Sequence, residues 1–114
     1  MSGGAFDYKN FHINEIAEDI QKQLDRQGKE RDKYELYMQD EFYEKYPEEK
    51  IYPTFDSRVQ HEMKNAVKLL KLASIYAHRV DYFLSGDDGE ENFLERLNSE
   101  IKELGYDNIR SALE

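Results

Sequence analysis

The sequence predicts an all-α fold of about four helices in a bundle-like packing, with one long central helix. Three observations predict it. Apolar residues recur at spacings of three and four in four separate stretches. No stretch alternates with the period of two that a half-buried strand needs. Gly28, Pro47, Pro53, Gly86 and Gly105 fall between or at the ends of the periodic stretches, where they act as breaks. At 114 residues the natural reading is one helical domain covering 1-114.

The first helix is predicted from about Asn10 or Asn14 to Gln27. Phe11, Ile13, Ile16, Ala17, Ile20 and Leu24 form its stripe. Either Asn offers a side-chain oxygen as a cap for free backbone N–H groups, and Gly28 can adopt the left-handed conformation that ends a helix. A second helix is predicted from about Lys29 to Lys45. Its face is aromatic: Tyr34, Tyr37, Met38 and Phe42 lie on one side, with Tyr46 adjoining. Pro47 cannot continue that helix, and Pro47 to Pro53 reads as an extended connector.

The third helix is the clearest. It starts near Thr54 or Asp56 and ends at Ser85-Gly86. Val59, Met63, Ala66, Val67, Leu70, Ala73, Ala77, Val80 and Leu84 form an unbroken stripe, widened by Leu69, Leu72, Tyr76 and Phe83. About 28 helical residues span roughly 42 Å, more than the diameter of a compact globule of this length. The helix therefore either kinks near Ala73-Ser74 or forms the spine of an elongated dimer. A fourth helix is predicted from about Asp88 to Leu104, burying Phe93, Leu94, Leu97, Ile101 and Leu104. Asp87 or Asp88 would cap its start and Gly105 would stop it. Asp107 to Leu113 could add one short terminal helix.

Composition excludes several functions. The chain has no Cys, which removes disulfides, thiolate zinc sites and a thiol nucleophile together. Charged residues make up 36%, against roughly 25% in typical soluble domains. The 15 Phe and Tyr residues supply burial area that a disordered chain lacks. A net charge of −9 argues against direct binding of nucleic acid over a broad face, and fits a basic partner or DNA mimicry. No apolar run approaches a membrane span. The amino-terminal residues lack the basic and apolar regions of a secretory signal, and Ser2 stands where myristoylation needs glycine. The expectation is a cytoplasmic protein.

Charge is segregated along the chain. Glu35 to Glu49 holds six acidic residues against Lys45, and Asp87 to Glu103 holds seven against Arg96 and Lys102. Arg58 to Arg79 holds five basic residues against Glu62. Pairing of the basic helix with its acidic neighbours is the expected use of this pattern.

Few motifs carry chemistry. His61-Glu62 opens like a zinc-protease motif but continues Met63-Lys64-Asn65, so the second histidine is missing. No nucleophile elbow or phosphate-binding loop exists. The sequence therefore predicts no enzyme, no catalytic residue, no metal and no cofactor. Lys64, Lys68 and Lys71 share one helix face and are candidates for anion binding. Tyr34, Tyr37, Phe42, Tyr43, Tyr46 and Tyr52 are candidates for partner binding, because Tyr combines rigid area with a hydroxyl. An aromatic mini-core between the second and third helices is the competing reading.

Two segments carry a resemblance. Met1-Ser2-Gly3-Gly4-Ala5-Phe6-Asp7-Tyr8 resembles the opening of a group of small bacterial and phage proteins with no assigned activity. Ser85-Gly86-Asp87-Asp88-Gly89-Glu90, following Tyr82-Phe83, resembles a second signature of that group, SGD, one variable residue, then GE. Ser85, Gly86, Asp87, Gly89 and Glu90 are thus the motif positions of the turn. The two segments are expected to pack together, Ser2 to Tyr8 against Ser85 to Glu91, with their glycines allowing close approach. The resemblance implies a role on a phage or mobile element. The expected function is a non-enzymatic acidic interaction protein, homodimeric, that binds and modulates a host macromolecule. A nucleotide-sequestering oligomer using the three lysines, and a DNA mimic, are the alternatives.

Overall fold

The computed structural model describes residues 4–112. Five α-helices appear there: α1 (Asn10–Asp25), α2 (Asp40–Lys45), α3 (Ser57–Leu84), α4 (Glu90–Glu103) and α5 (Asp107–Ser111). Two 3-10 turns, Lys33–Glu35 and Pro47–Lys50, flank α2. Among the described residues there is no strand, only an isolated antiparallel bridge between Glu30 and Ile51. The fold is all-α and bundle-like.

α3 runs without interruption, and α1 and α4 pack on it. The body is elongated, 62 × 31 × 17 Å, with a radius of gyration of 19.5 Å. A compact chain of this length has a radius of about 13 Å. The expected conflict between helix length and globule size is thus resolved by elongation, with no break at Ala73-Ser74.

The main core lies between α3 and α4. Leu72, Leu97 and Ile101 are buried there, with Ile75, Tyr76, Phe93, Tyr106 and Ile109 packed around them. The last two come from α5 and the turn before it, so the short terminal helix closes the end of this core. On the α1 side, Ala17 and Leu24 are buried.

All three predicted glycine stops have a positive φ, but the N–H of Gly28 (φ +73°) donates to the Tyr52 carbonyl, and only two close their helix ends with their own N–H. Gly86 has φ +83°, its N–H donates to the Phe83 carbonyl, and the Asp87 N–H donates to Tyr82. Gly105, with φ +70°, repeats the arrangement onto Lys102 and Ile101. Each left-handed glycine satisfies carbonyls that the helix end leaves free. Asp56 caps α3, its Oδ1 accepting from the Arg58 N–H at 2.8 Å.

Four expectations about element bounds and caps change. The helix predicted over Lys29 to Lys45 is only α2, because its first residues are taken by another partner. The Arg31 N–H donates to Lys50 and the Tyr52 N–H to Lys29, which draws residues 28–31 alongside 50–52. Tertiary pairing overrides the helix propensity of this Lys-, Glu- and Arg-rich stretch, propensity being a weak prior against tertiary context. The connector after Pro47 accordingly begins with a 3-10 turn, Pro occupying its first position. Neither Asn10 nor Asn14 caps α1. Lys9 holds the cap position, Asn10 is buried, and the Asn14 side chain donates to Glu18. At α4 the cap is Gly89, because the Asp88 carboxylate is engaged elsewhere.

Candidate functional site

The residues from Gly28 to Phe55 form an arm outside the helical core. Its root is Tyr52, whose ring is covered by two guanidinium groups: Arg26 at 4.1 Å and Arg31 at 5.1 Å from the ring centre. The Tyr52 hydroxyl accepts from the Asp32 N–H at 3.1 Å. Arg26 also donates to Glu35 at 3.1 Å, and the Gln27 side chain accepts from the Phe55 N–H at 2.8 Å. The Gly28 N–H donates to the Tyr52 carbonyl, so the arm is pinched shut at its base. Cation–π contacts of this kind strengthen when partly desolvated.

The six aromatic candidates divide into three pairs. Tyr43 and Tyr52 are each 4% exposed. They build the arm and do not present a surface to a partner; the Tyr43 hydroxyl accepts from the Met38 N–H at 3.3 Å. Tyr34 and Tyr37 are 94% and 85% exposed. Phe42 is half-buried and packs on Tyr46 with ring centres 5.1 Å apart. Tyr37, Met38 and Phe42 line a shallow groove of about 450 Å³ together with Glu41. The arm therefore offers protruding aromatic rings beside exposed carboxylates at Asp40, Glu41, Glu44, Glu48 and Glu49. Sequence reasoning missed Arg26 and Arg31, which create the arm's root; their placement depends on the pairing of 28–31 with 50–52.

The lysine row is less converged than expected. Among the described residues none of Lys64, Lys68 and Lys71 lies within ion-pair distance of a carboxylate. Lys64 and Lys68 are exposed on α3. Lys71 instead joins Lys22, Arg26 and Lys29 in a crevice of about 320 Å³, together with Glu18 and Asp25. That crevice holds no tyrosine.

The two motif segments do meet. The N–H groups of Gly4 and Ala5 donate to Ser85 Oγ at 3.2 and 3.1 Å, and the Phe6 N–H donates to Asp81 Oδ1 at 3.2 Å. Met1, Ser2 and Gly3 lie outside the described residues. Close approach is not why glycine occurs here. A Cβ on Gly4, Gly86 or Gly89 would meet nothing within 4 Å; Gly86 is needed for its positive φ. Asp7 and Tyr8 follow with φ +53° and +61°, a left-handed pair that non-glycine residues rarely adopt. Tyr8 stacks on Phe11, which meets the edge of His78.

The variable position of the turn is the most constrained. The Asp88 side chain is 1% exposed and accepts from Arg96 at 2.7 Å and Arg79 at 3.4 Å. Arg79 Nε also lies 3.1 Å from Glu100, a contact of charge without hydrogen-bond alignment. Asp87 and Glu90 are exposed. His78 sits on this network, its ring 4.5 Å from Tyr82. Burial holds its pKa below the ordinary 6.5, helped by the positive charge of Arg79 and opposed by Glu100, Asp81 and Asp88.

Among the described residues no three His, Asp or Glu side chains are grouped to hold a metal ion, and no helix is long and apolar enough to cross a membrane. No family model matches the chain, and no curated protein or solved structure matches it.

Proposed function

We propose that this chain is a non-enzymatic, acidic interaction protein of a phage or other mobile element, homodimeric, whose aromatic arm binds a basic surface of a host macromolecule. One observation carries the reading: Tyr34 and Tyr37 stand almost fully exposed among the carboxylates of an arm anchored at its root. Tyr faces attract Lys and Arg, and nearby carboxylates pair with the same groups. Burying such rings supplies most of the energy of a small interface.

The test is capture from bacterial lysate on the immobilised full chain, compared with the Tyr34→Ala/Tyr37→Ala variant. The expected result is a basic protein retained by the first and lost from the second, with retention falling as salt rises. Identical captured sets would refute the role of the arm. A captured DNA-binding protein that duplex DNA displaces would turn the reading to DNA mimicry.

One observation favours a second reading, a small anionic ligand. Lys71 shares its crevice with Lys22, Arg26 and Lys29. Native mass spectrometry that finds a few hundred extra daltons per subunit, lost on Lys71→Ala, would promote it.

A further inference from the structure

The long helix carries an apolar series that its own chain covers only in part: Val59, Ala73 and Leu84 are exposed, and the members between them are half-buried. The residues that α3 buries are Val67, Leu72, Arg79 and Asp81. A different series occupies positions 59, 63, 66, 70, 73, 77, 80 and 84, in alternating steps of four and three. All eight are Val, Met, Ala or Leu. None is buried, and the end members Val59 and Leu84 are 47% and 60% exposed. A strict 3.5-residue period sustained along a whole helix is the pattern that a second helix, wound along it, requires. Neither α1, with 16 residues, nor α4, with 14, can cover the 28 residues of α3.

We infer that the occupant is a second copy of this chain, its α3 laid antiparallel on the first to form a two-fold dimer. The inference rests on reading the chain as a homodimer and supplies the pairing. It does not involve the aromatic arm. Three features select this occupant and direction.

First, the series reads the same from both ends, so antiparallel alignment sets every member opposite another. Val59 faces Leu84 of the second copy, Met63 faces Val80, Ala66 faces Ala77 and Leu70 faces Ala73. Leucine meets alanine or valine in each layer that contains it. Parallel alignment would stack Ala66, Ala73 and Ala77 each on itself and Leu70 on Leu70, whereas the antiparallel one sets Ala on Ala only where 66 meets 77 and fills the central layers with Leu70 against Ala73. Second, the ends fit each other. Val59, Met63 and Ala66 line a shallow apolar groove of about 540 Å³, rimmed by Asp56, Arg58 and Glu62. Two-fold pairing brings the exposed Leu84 of each copy to the groove of the other, the self-complementary contact of an isologous interface. Third, the charges agree. The first half of α3 is basic, with Arg58, Lys64, Lys68 and Lys71 against Glu62, and Asp87, Glu90 and Glu91 are exposed beyond its end. Antiparallel pairing sets the basic half against the acidic turn, and each helix start beside the other's end. Parallel pairing would set like against like.

The test uses the full chain in two measurements. Sedimentation velocity at tens of micromolar should give twice the 13.6 kDa chain mass. Ala73→Glu, at an exposed position near the two-fold axis, should give the single-chain mass with unchanged helical circular dichroism. The chain has no cysteine, so introduced thiols report pairing directly. Equimolar Ala66→Cys and Ala77→Cys should form a mixed disulfide on mild oxidation. Neither should cross-link to itself, because its two copies would stand about 16 Å apart along the axis, beyond the roughly 7 Å reach of a disulfide. A wild-type monomer at every concentration overturns the homodimer itself. A dimer that survives Ala73→Glu, or in which Ala66→Cys cross-links to itself, overturns this pairing and leaves the homodimer standing.

Discussion

Replacing Asp88 with alanine should destabilise the fold more than any other single change in the turn between α3 and α4. The carboxylate is 1% exposed and is shared by Arg96 at 2.7 Å and Arg79 at 3.4 Å; the Arg79 side chain is itself only 11% exposed. Removing one partner of a buried pair costs about 3–5 kcal/mol, because the remaining charge stays buried without compensation. Arg79 keeps Glu100 at 3.1 Å, a carboxylate one-third exposed, so the lower end applies, about 3 kcal/mol. A chain of 114 residues unfolds with an entropy of about 240 cal/mol/K at its midpoint, which converts that cost into a fall of about 12 °C. Asp88→Asn keeps the shape and loses the charge, and should fall between Asp88→Ala and wild type. Arg96, more than half exposed, should cost under about 1 kcal/mol as Arg96→Ala. Asp87→Ala, at the exposed neighbour, should stay within about 0.5 kcal/mol. The assay is thermal and urea unfolding followed by circular dichroism at one fixed protein concentration, since dimerisation would make the midpoint depend on concentration. An Asp88→Ala midpoint within about 3 °C of wild type, or one above that of Arg96→Ala, would refute the assignment of Asp88 as the buried counter-charge.

The pH dependence of stability should carry the mark of His78. Its folded pKa lies below 6.5, so between the two values the unfolded chain binds more protons; stability is full above 6.5 and falls as pH drops through the folded value. In unfolding midpoints measured from pH 8 to 5, His78→Gln should show a shallower decline than wild type, and parallel curves would contradict this. Tyr52→Phe should cost about 1 kcal/mol for the hydrogen bond from Asp32, and Tyr52→Ala about 3–5 kcal/mol. Tyr34→Ala should stay within about 0.5 kcal/mol, so urea unfolding separates the ring that anchors the arm from one that is free to bind. Gly86→Ala should cost about 1 kcal/mol through its positive φ alone, with no steric component, because a Cβ there meets nothing within 4 Å. A cost above about 3 kcal/mol in the same assay would show a clash that the geometry lacks.

How much of this was legible in the sequence depended on whether the signal was local. α3 and α4 were readable because periodic apolar residues, an aspartate cap and left-handed glycines all lie within one element. The meeting of the amino-terminal segment with Ser85 was also anticipated, though the glycines explained it for the wrong reason. The second helix failed because its start is held by residues 50–52, a contact that no window of local sequence contains. For the same reason Tyr43 and Tyr52 could not be told from Tyr34 and Tyr37: all four look alike until the arm folds back on Arg26. Asp88 read as a cap because Asp before a helix usually is one. Its true partners lie eight and nine residues away, on two different helices.

The pinch between Gly28 and Tyr52 separates two tasks that a single loop would otherwise share. Docking α1 on α3 requires only that the end of one helix reach the start of the other, and the closed base of the arm already brings those ends together. What lies distal to the pinch adds almost nothing to that closure: doubling the length of a flexible loop costs only about 0.6 kcal/mol. The segment from Leu36 to Glu48 can therefore be lengthened, recoloured in charge or exchanged for another sequence while the helical scaffold keeps its register. The pinch thus makes a cassette of what lies beyond it: that surface can drift while the residues that hold α1 on α3 stay fixed.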